Sequence, residues 1–333
     1  MREHARKAPS PKQVNSGMMV SNVRARIARA RRMDWSPTSE QVEKGMNDTD
    51  HRVRTAWAER TDWTPTRKQV ETGLNDVYWE VRRAWVKRMD WTPTPEQVER
   101  WILDSDRDVR MAWVWRMDWT PTPEQVEMGL NDQYNEVRAE WVKRGDLTHT
   151  PAQISRMLRD SDPLIRYLIS TRMDWTPTQE HVELGLNDMD SNVRIAWASR
   201  TDWTPTSEQV ENGLNDTGWK VRLAWVRRTG WTPTPEQVKR GLSSGDWIDR
   251  KAWSTRTDWT PTPEQVEIML NDPHYDVRET WVRRANFIPT TEQIDAGLRD
   301  RSESVRNAWM DKLRSGMEGE LAEDTQTNLE VSL

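Results

Sequence analysis

The side chains of this sequence that could do chemistry stand in columns. One arginine column is Arg54, Arg82, Arg110, Arg138, Arg166, Arg194, Arg222, Arg250, Arg278 and Arg306. A second is Arg60, Arg88, Arg116, Arg144, Arg172, Arg200, Arg228, Arg256 and Arg284. A row of guanidinium groups suits phosphates or carboxylates along an extended ligand. Against that use, an aspartate recurs in step with the first column (Asp48, Asp76, Asp104, Asp132), which predicts an internal ladder of Arg–Asp bonds. The second column is followed two residues later by aspartate in most copies, which predicts pairing at the junction between repeats. Exposed pairs of that kind contribute about 0–1 kcal/mol each. They would set stacking geometry more than stability.

Tryptophan also comes in two columns, and such rings can stack on bases or sugars. Trp57 and Trp85, however, share a stripe with Val53, Ala56, Val81 and Ala84, so they are expected in the core. The other column precedes a helix start, where an apolar residue can staple the turn. No catalytic constellation is present. The five histidines (His4, His51, His149, His181, His274) lie in different repeats without metal-ligand spacing, and there is no cysteine. A phosphate-cradling glycine loop and a G-x-S-x-G motif are likewise missing. The expectation is a chain that is not an enzyme and uses no cofactor and no metal.

These columns require a repeated element to carry them. The leading position returns every 28 residues as Trp35, Trp63, Trp91, Trp119, Leu147, Trp175, Trp203, Trp231, Trp259 and Phe287. Ten copies fill residues 34–313 without insertion or deletion, and a period in the 20–50 range marks a repeat array. Each copy reads as two short helices. In helix A, Thr94 is the N-cap, Pro95 sits at N1 and Gln97 at N3, a capping box, and in most copies the helix closes after about three turns on a stretch such as Gly129-Leu130-Asn131-Asp132. Helix B carries the Val/Ala/Trp stripe, with alanine allowing close approach to helix A. Residues 1–33 align with the next repeat but hold Lys7 and Arg29 at the Trp positions, so they read as a basic, degenerate capping repeat. The tail 314–333 lacks periodicity and is expected to be disordered. Copies 146–173 and 230–257 depart most from the pattern: the first has Leu147 and Ile169 for Trp, the second Gly230, Ser244 and Asp249. Such departures mark either drift or a bend or contact site.

The loop between helices A and B is where otherwise uniform copies differ. Tyr78, Trp79, Tyr134, Trp219, Trp247 and Tyr275 place aromatics there, and Trp115 is a further departure. Aromatics on loops along a common edge resemble the composition of protein interfaces. The net charge of −5 is uneven: residues 1–33 carry nine Lys or Arg and one acid, a net +8, leaving −13 on the rest. A nucleic-acid footprint is therefore confined to the basic arm, through Arg24, Arg26, Arg29, Arg31 and Arg32. No signal-like apolar segment follows the N-terminus and no 18-residue apolar run occurs, so neither secretion nor membrane spanning is expected, and a cytoplasmic location is.

The segment Asp48-x-Asp50-x-x-Val53-Arg54-x-Ala56, followed by Thr64-Pro65-Thr66, resembles the leucine-rich repeat variant family and, more loosely, HEAT-type repeats. The period here is longer than is usual in that family, Trp stands where aliphatics are expected, and the cysteine cluster of some members is absent. The resemblance implies a superhelical α-solenoid and, for HEAT-like proteins, mostly protein binding. The combined expectation is an all-α, right-handed alpha-solenoid of ten 28-residue two-helix repeats plus the degenerate one, roughly 100 Å long at ~10 Å per helix layer. Its expected role is a scaffold holding a protein partner along one face. A nucleic-acid-binding solenoid using the basic arm and an arginine column is the alternative.

Overall fold

The computed structural model describes residues 22–315. The expectations for residues 6–21 of the degenerate repeat and for most of the 314–333 tail fall outside that range. The described chain is all-α: twenty helices run from Val23–Ala30 to Thr291–Gly297, a last one covers 303–315, and there is no strand among the described residues. The chain divides into two compact units, one ending at Ile169 and the other beginning at Ser170. The border falls inside the divergent copy 146–173, which has lost both tryptophans.

The copy at 62–89 shows the unit. Helix A is Arg67–Leu74 and helix B is Trp79–Val86. Eight residues make only about two turns, one fewer than the sequence pattern suggested for helix A. Both ends are punctuated. Thr66 Oγ1 accepts from the backbone N–H of Gln69 while Gln69 Oε1 accepts from the Thr66 N–H at 2.8 Å. At the other end Asn75 Nδ2 donates to the Glu71 carbonyl at 2.8 Å, so asparagine is the C-cap. Helices this short are unstable alone. Stacking must hold them.

The stacked core follows the predicted stripe: Val81, Ala84 and Trp85 of helix B are buried against Val70 and Leu74 of helix A. The leading Trp63 meets Trp85 edge-on, with ring centroids 6.0 Å apart and planes at 76°. The glycine of helix A, not read this way from the sequence, also permits close approach. A Cβ at Gly73 would lie 2.1 Å from Trp85 Nε1, and Gly45, Gly129, Gly185, Gly213, Gly241 and Gly297 stand in the same relation to their tryptophans. This glycine is within the last turn of helix A, not beyond its end.

Three polar ladders tie successive copies together. Along the A helices, the capping-box glutamine reaches back to the preceding copy, as in Gln97 Nε2 to Glu71 at 2.6 Å and Gln209 Nε2 to Glu183 at 2.6 Å. Along the A–B loops, Arg82 forks onto Asp104 of the next copy, Nε to Oδ2 at 2.6 Å and Nη2 to Oδ1 at 2.7 Å. Its Nη1 donates to the Asp76 carbonyl of its own copy at 2.8 Å. The expected Arg–Asp ladder is thus present, and its acid comes from the following repeat.

The third ladder corrects the sequence reading. The second arginine column is not a row of surface pairs: Arg60, Arg88, Arg116, Arg144, Arg200, Arg228, Arg256 and Arg284 are only 2–9% exposed. Arg116 Nη1 donates to the carbonyls of Val86 and Arg88 at 2.8 and 2.7 Å, Nη2 donates to that of Trp91 at 2.7 Å, and Nε bonds Asp118 at 2.9 Å. The guanidinium also lies over the Trp91 ring, 4.3 Å from its centroid. The physical reason lies in the preceding helix B, Trp79–Val86. A helix ends on carbonyls without intrahelical partners and with partial negative charge, and the next copy's arginine closes that end.

Candidate functional site

With the core and all three ladders assigned, the variable side chains lie mainly at the start of helix B. The loop that delivers them is built by the ladder aspartate, whose Oδ1 accepts the N–H two residues on, as in Asp76 to Tyr78 at 2.9 Å and Asp132 to Tyr134 at 2.9 Å. Residue Tyr78, like Tyr134, then occupies the N-cap of helix B. In five other copies this position is Asp50, Asp106, Asp162, Asp190 or Asp246, each accepting from the helix N-terminus. Tyr78 and Tyr134 make no side-chain cap bond and are 45% and 38% exposed. Replacing a good N-cap typically costs about 1 kcal/mol.

Position N1 of one copy touches the N-cap of the next. His51 stacks on Tyr78 at 4.2 Å, Arg107 lies 5.3 Å from the Tyr134 ring, and Trp247 stacks on His274 at 3.9 Å. In the first unit the edge therefore presents His51, Tyr78, Arg107 and Tyr134. Arginines of the ladder lie beneath, Arg54 at 5.5 Å from Tyr78 and Arg110 at 5.5 Å from Tyr134. In the second unit it presents Trp219, 42% exposed, then Trp247, His274 and Tyr275 in a three-ring stack.

The predicted aromatics separate into groups. Tyr78, Tyr134, Trp219 and Tyr275 are exposed on these edges. Trp79 packs against the core of the first unit and Trp247 against that of the second, each only partly open. Trp115 is exposed but sits at the far end of its helix, Arg107–Trp115, where Nε1 donates to Glu140 Oε2 at 2.7 Å. Two exposed apolar residues were not singled out from the sequence: Val77 and Met189, 88% and 98% exposed at the loop apex. Their signal was present, since both stand where other copies have Thr49, Ser105 or Thr217.

The arginines of the basic arm are largely engaged. Arg26 is the first rung of the ladder, Nε to Asp48 Oδ2 at 2.8 Å and Nη2 to Oδ1 at 3.0 Å. Its 28-residue offset from Arg54 was the available clue. Arg32 pairs with Asp34, and Arg31 lies 3.9 Å from Glu59. Arg24 is exposed and Arg29 half-buried. Among the described residues no cluster of three or more His, Cys, Asp or Glu is placed to hold a metal ion, and no helix is long and apolar enough to cross a membrane.

No family model matches this sequence, and no curated protein does. Among solved structures, the chain is similar to one described as a leucine-rich repeat variant with a novel repetitive protein structural motif. The match has a TM-score of 0.50 at 23% identity over 71% of this chain and 87% of that one. The architecture is that of a leucine-rich repeat variant. The likeness concerns the fold, the all-α array of helix pairs.

Proposed function

We infer that this leucine-rich-repeat-variant-like chain is a non-enzymatic scaffold that binds a protein partner through the N-terminal edges of its B helices. The observation carrying the reading is that Tyr78 and Tyr134 hold exposed aromatic rings where a capping aspartate would stabilise the helix. A local rule broken at an exposed position points to a site kept for another reason. Exposed aromatics beside arginine are the composition of interface hot spots. For a nucleic-acid ligand the same edges are less suited, because the first arginine column is neutralised by its aspartates and Arg26 belongs to that ladder.

The test is a pull-down with the tagged full chain, run with and without nuclease, in parallel with Tyr134→Asp/Trp219→Ser. Both replacements are residues the chain itself uses at those positions (Asp106, Ser191). A discrete protein retained after nuclease and lost from the variant is the expected result. Retention by the variant would remove the aromatic edges from the interface, and recovery only without nuclease would favour the nucleic-acid alternative.

A further inference from the structure

The copy at 230–257 breaks the Arg–Asp ladder in one place, and the break opens a polar cleft. In a regular rung both oxygens of the aspartate are used. Asp216 Oδ2 takes Arg194 Nε at 2.7 Å, while Oδ1 takes Arg194 Nη2 at 2.9 Å and the Gly218 N–H at 2.7 Å. In the next rung Ser244 stands where the aspartate belongs, and Asp249 replaces the buried valine of helix B (Val193, Val221, Val277 elsewhere). Arg222 Nε turns to Asp249 Oδ2 at 3.0 Å, and Ser244 Oγ donates to the same oxygen at 3.1 Å. Asp249 is 8% exposed and its Oδ1 has no hydrogen-bond partner. A buried acceptor without a donor is unfavourable and rarely kept.

Asp249 lines a cleft of about 520 Å³ together with Arg222, Gln237, Ser244 and Asp246. The cations nearby are mostly spoken for: Arg240 pairs with Glu211 at 2.7 Å and Arg250 with Asp272 at 2.6 Å. Arg222 alone faces two carboxylates, Asp249 at 3.0 Å and Asp246 at 3.8 Å, so the cleft holds an excess of one negative charge. Trp219 begins the helix that carries Arg222 but lies outside the cleft lining, with Lys220 Nζ 5.5 Å from its ring centroid. Carboxylates in excess over the cations that face them are the chemistry that receives an ammonium or guanidinium group.

We propose that this cleft is a binding site for a cationic side chain, lysine or arginine, of the protein partner, with Asp249 and Asp246 as its acceptors. The proposal rests on the scaffold reading and names the chemistry its partner must bring. It also explains why the copy departs from the others: moving the carboxylate from position 244 to 249 leaves the arginine held while releasing one oxygen.

The chain supplies its own control, because Ser244→Asp/Asp249→Val rebuilds a regular rung. The ¹⁵N-labelled full chain is titrated with N-acetyl-lysinamide, N-acetyl-argininamide and the uncharged N-acetyl-norleucinamide, following the amides of Ser244 and Asp249 and the Arg222 Nε–H. Saturable shifts are expected with the two cations and none with norleucinamide. The rebuilt rung should melt no lower than the parent and lose roughly tenfold or more in affinity. Asp249→Asn, nearly isosteric, should show the same loss and serves if the double variant fails to fold. An equal response to norleucinamide, no saturable shift, or undiminished affinity in both variants would overturn the site. The titration uses no partner. A failed pull-down therefore leaves it intact, and a null titration beside a successful pull-down sinks this proposal alone.

Discussion

At the scale of single residues, the buried arginine is the side chain on which neighbouring copies most depend. Arg116 satisfies two carbonyls of the preceding copy, one of its own and one carboxylate, so its removal leaves buried acceptors rather than a vacant surface. Arg116→Ala is expected to destabilise by about 3 kcal/mol or more, the range for breaking a buried, hydrogen-bonded charge. Arg116→Lys should cost less, since Lys312, which stands in this column, still reaches the Arg284 carbonyl at 2.7 Å. Denaturant unfolding of both variants would check the order, and equal losses would refute the multidentate role. The column also contains two arginines short of a carboxylate. Arg228 is followed by Gly230 and Arg284 by Asn286, and burial pulls both guanidinium groups down to about 10. Arg284 Nε is buried without a partner. Asn286→Asp should therefore raise stability by roughly 1 kcal/mol, the value of a charge-assisted bond discounted for the exposure of the carboxylate. A lower melting temperature for Asn286→Asp would contradict that account.

At the scale of elements, the glycine–tryptophan contact decides how closely helices A and B approach. Gly73→Ala would put a methyl group 2.1 Å from the Trp85 indole, and overpacking of a filled core costs about 1–3 kcal/mol. The opposite sign is expected at the start of helix B, where Tyr78→Asp and Tyr134→Asp install a cap that five other copies use. Each should stabilise by about 0.5–2 kcal/mol while weakening partner capture. Stabilisation with capture unchanged would make those tyrosines drift. The helix A start with its capping box and the Val/Ala/Trp stripe were legible in the sequence because each is a local pattern that most copies repeat. The depth of the second arginine column was not, since an Arg-x-Asp triplet reads the same on a surface or beneath the next copy. Only stacking reveals that the carbonyls of Val86 and Arg88 lie within its reach. The cleft beside Asp249 was half legible: the divergence of copy 230–257 stood out, but an unpaired oxygen is a fact of geometry.

At the scale of the molecule, stability of a repeat array is a sum over copies and the contacts between neighbours, and here many of those contacts carry an aspartate. Burial pushes the carboxyls of Asp216, Asp300, Asp118 and Asp258 upward, but bonds from their arginines and from backbone N–H groups outweigh it, and all four titrate below the ordinary 3.8. Asp146 is lowered chiefly by its bond to Arg144. A group whose acidity is strengthened by folding stabilises the fold at pH above its unfolded value, and that contribution disappears as pH falls through the folded value. Melting temperature should accordingly stay level between about pH 7 and pH 5, then drop as pH descends below about 4. Because these carboxylates pair where copies meet, their protonation loosens contacts between copies in both units rather than one surface. Ladder pairs such as Arg82–Asp104, with side chains 10% and 1% exposed, are little screened by salt, so moderate salt at neutral pH should leave the melting temperature nearly unchanged. Thermal melts followed by circular dichroism across pH and salt would test both limbs. A fold indifferent to acid would show that the ladders set register without holding the copies together, whereas a fold that weakens in salt at pH 7 would mean that exposed pairs, not the buried ladders, carry the electrostatic stability.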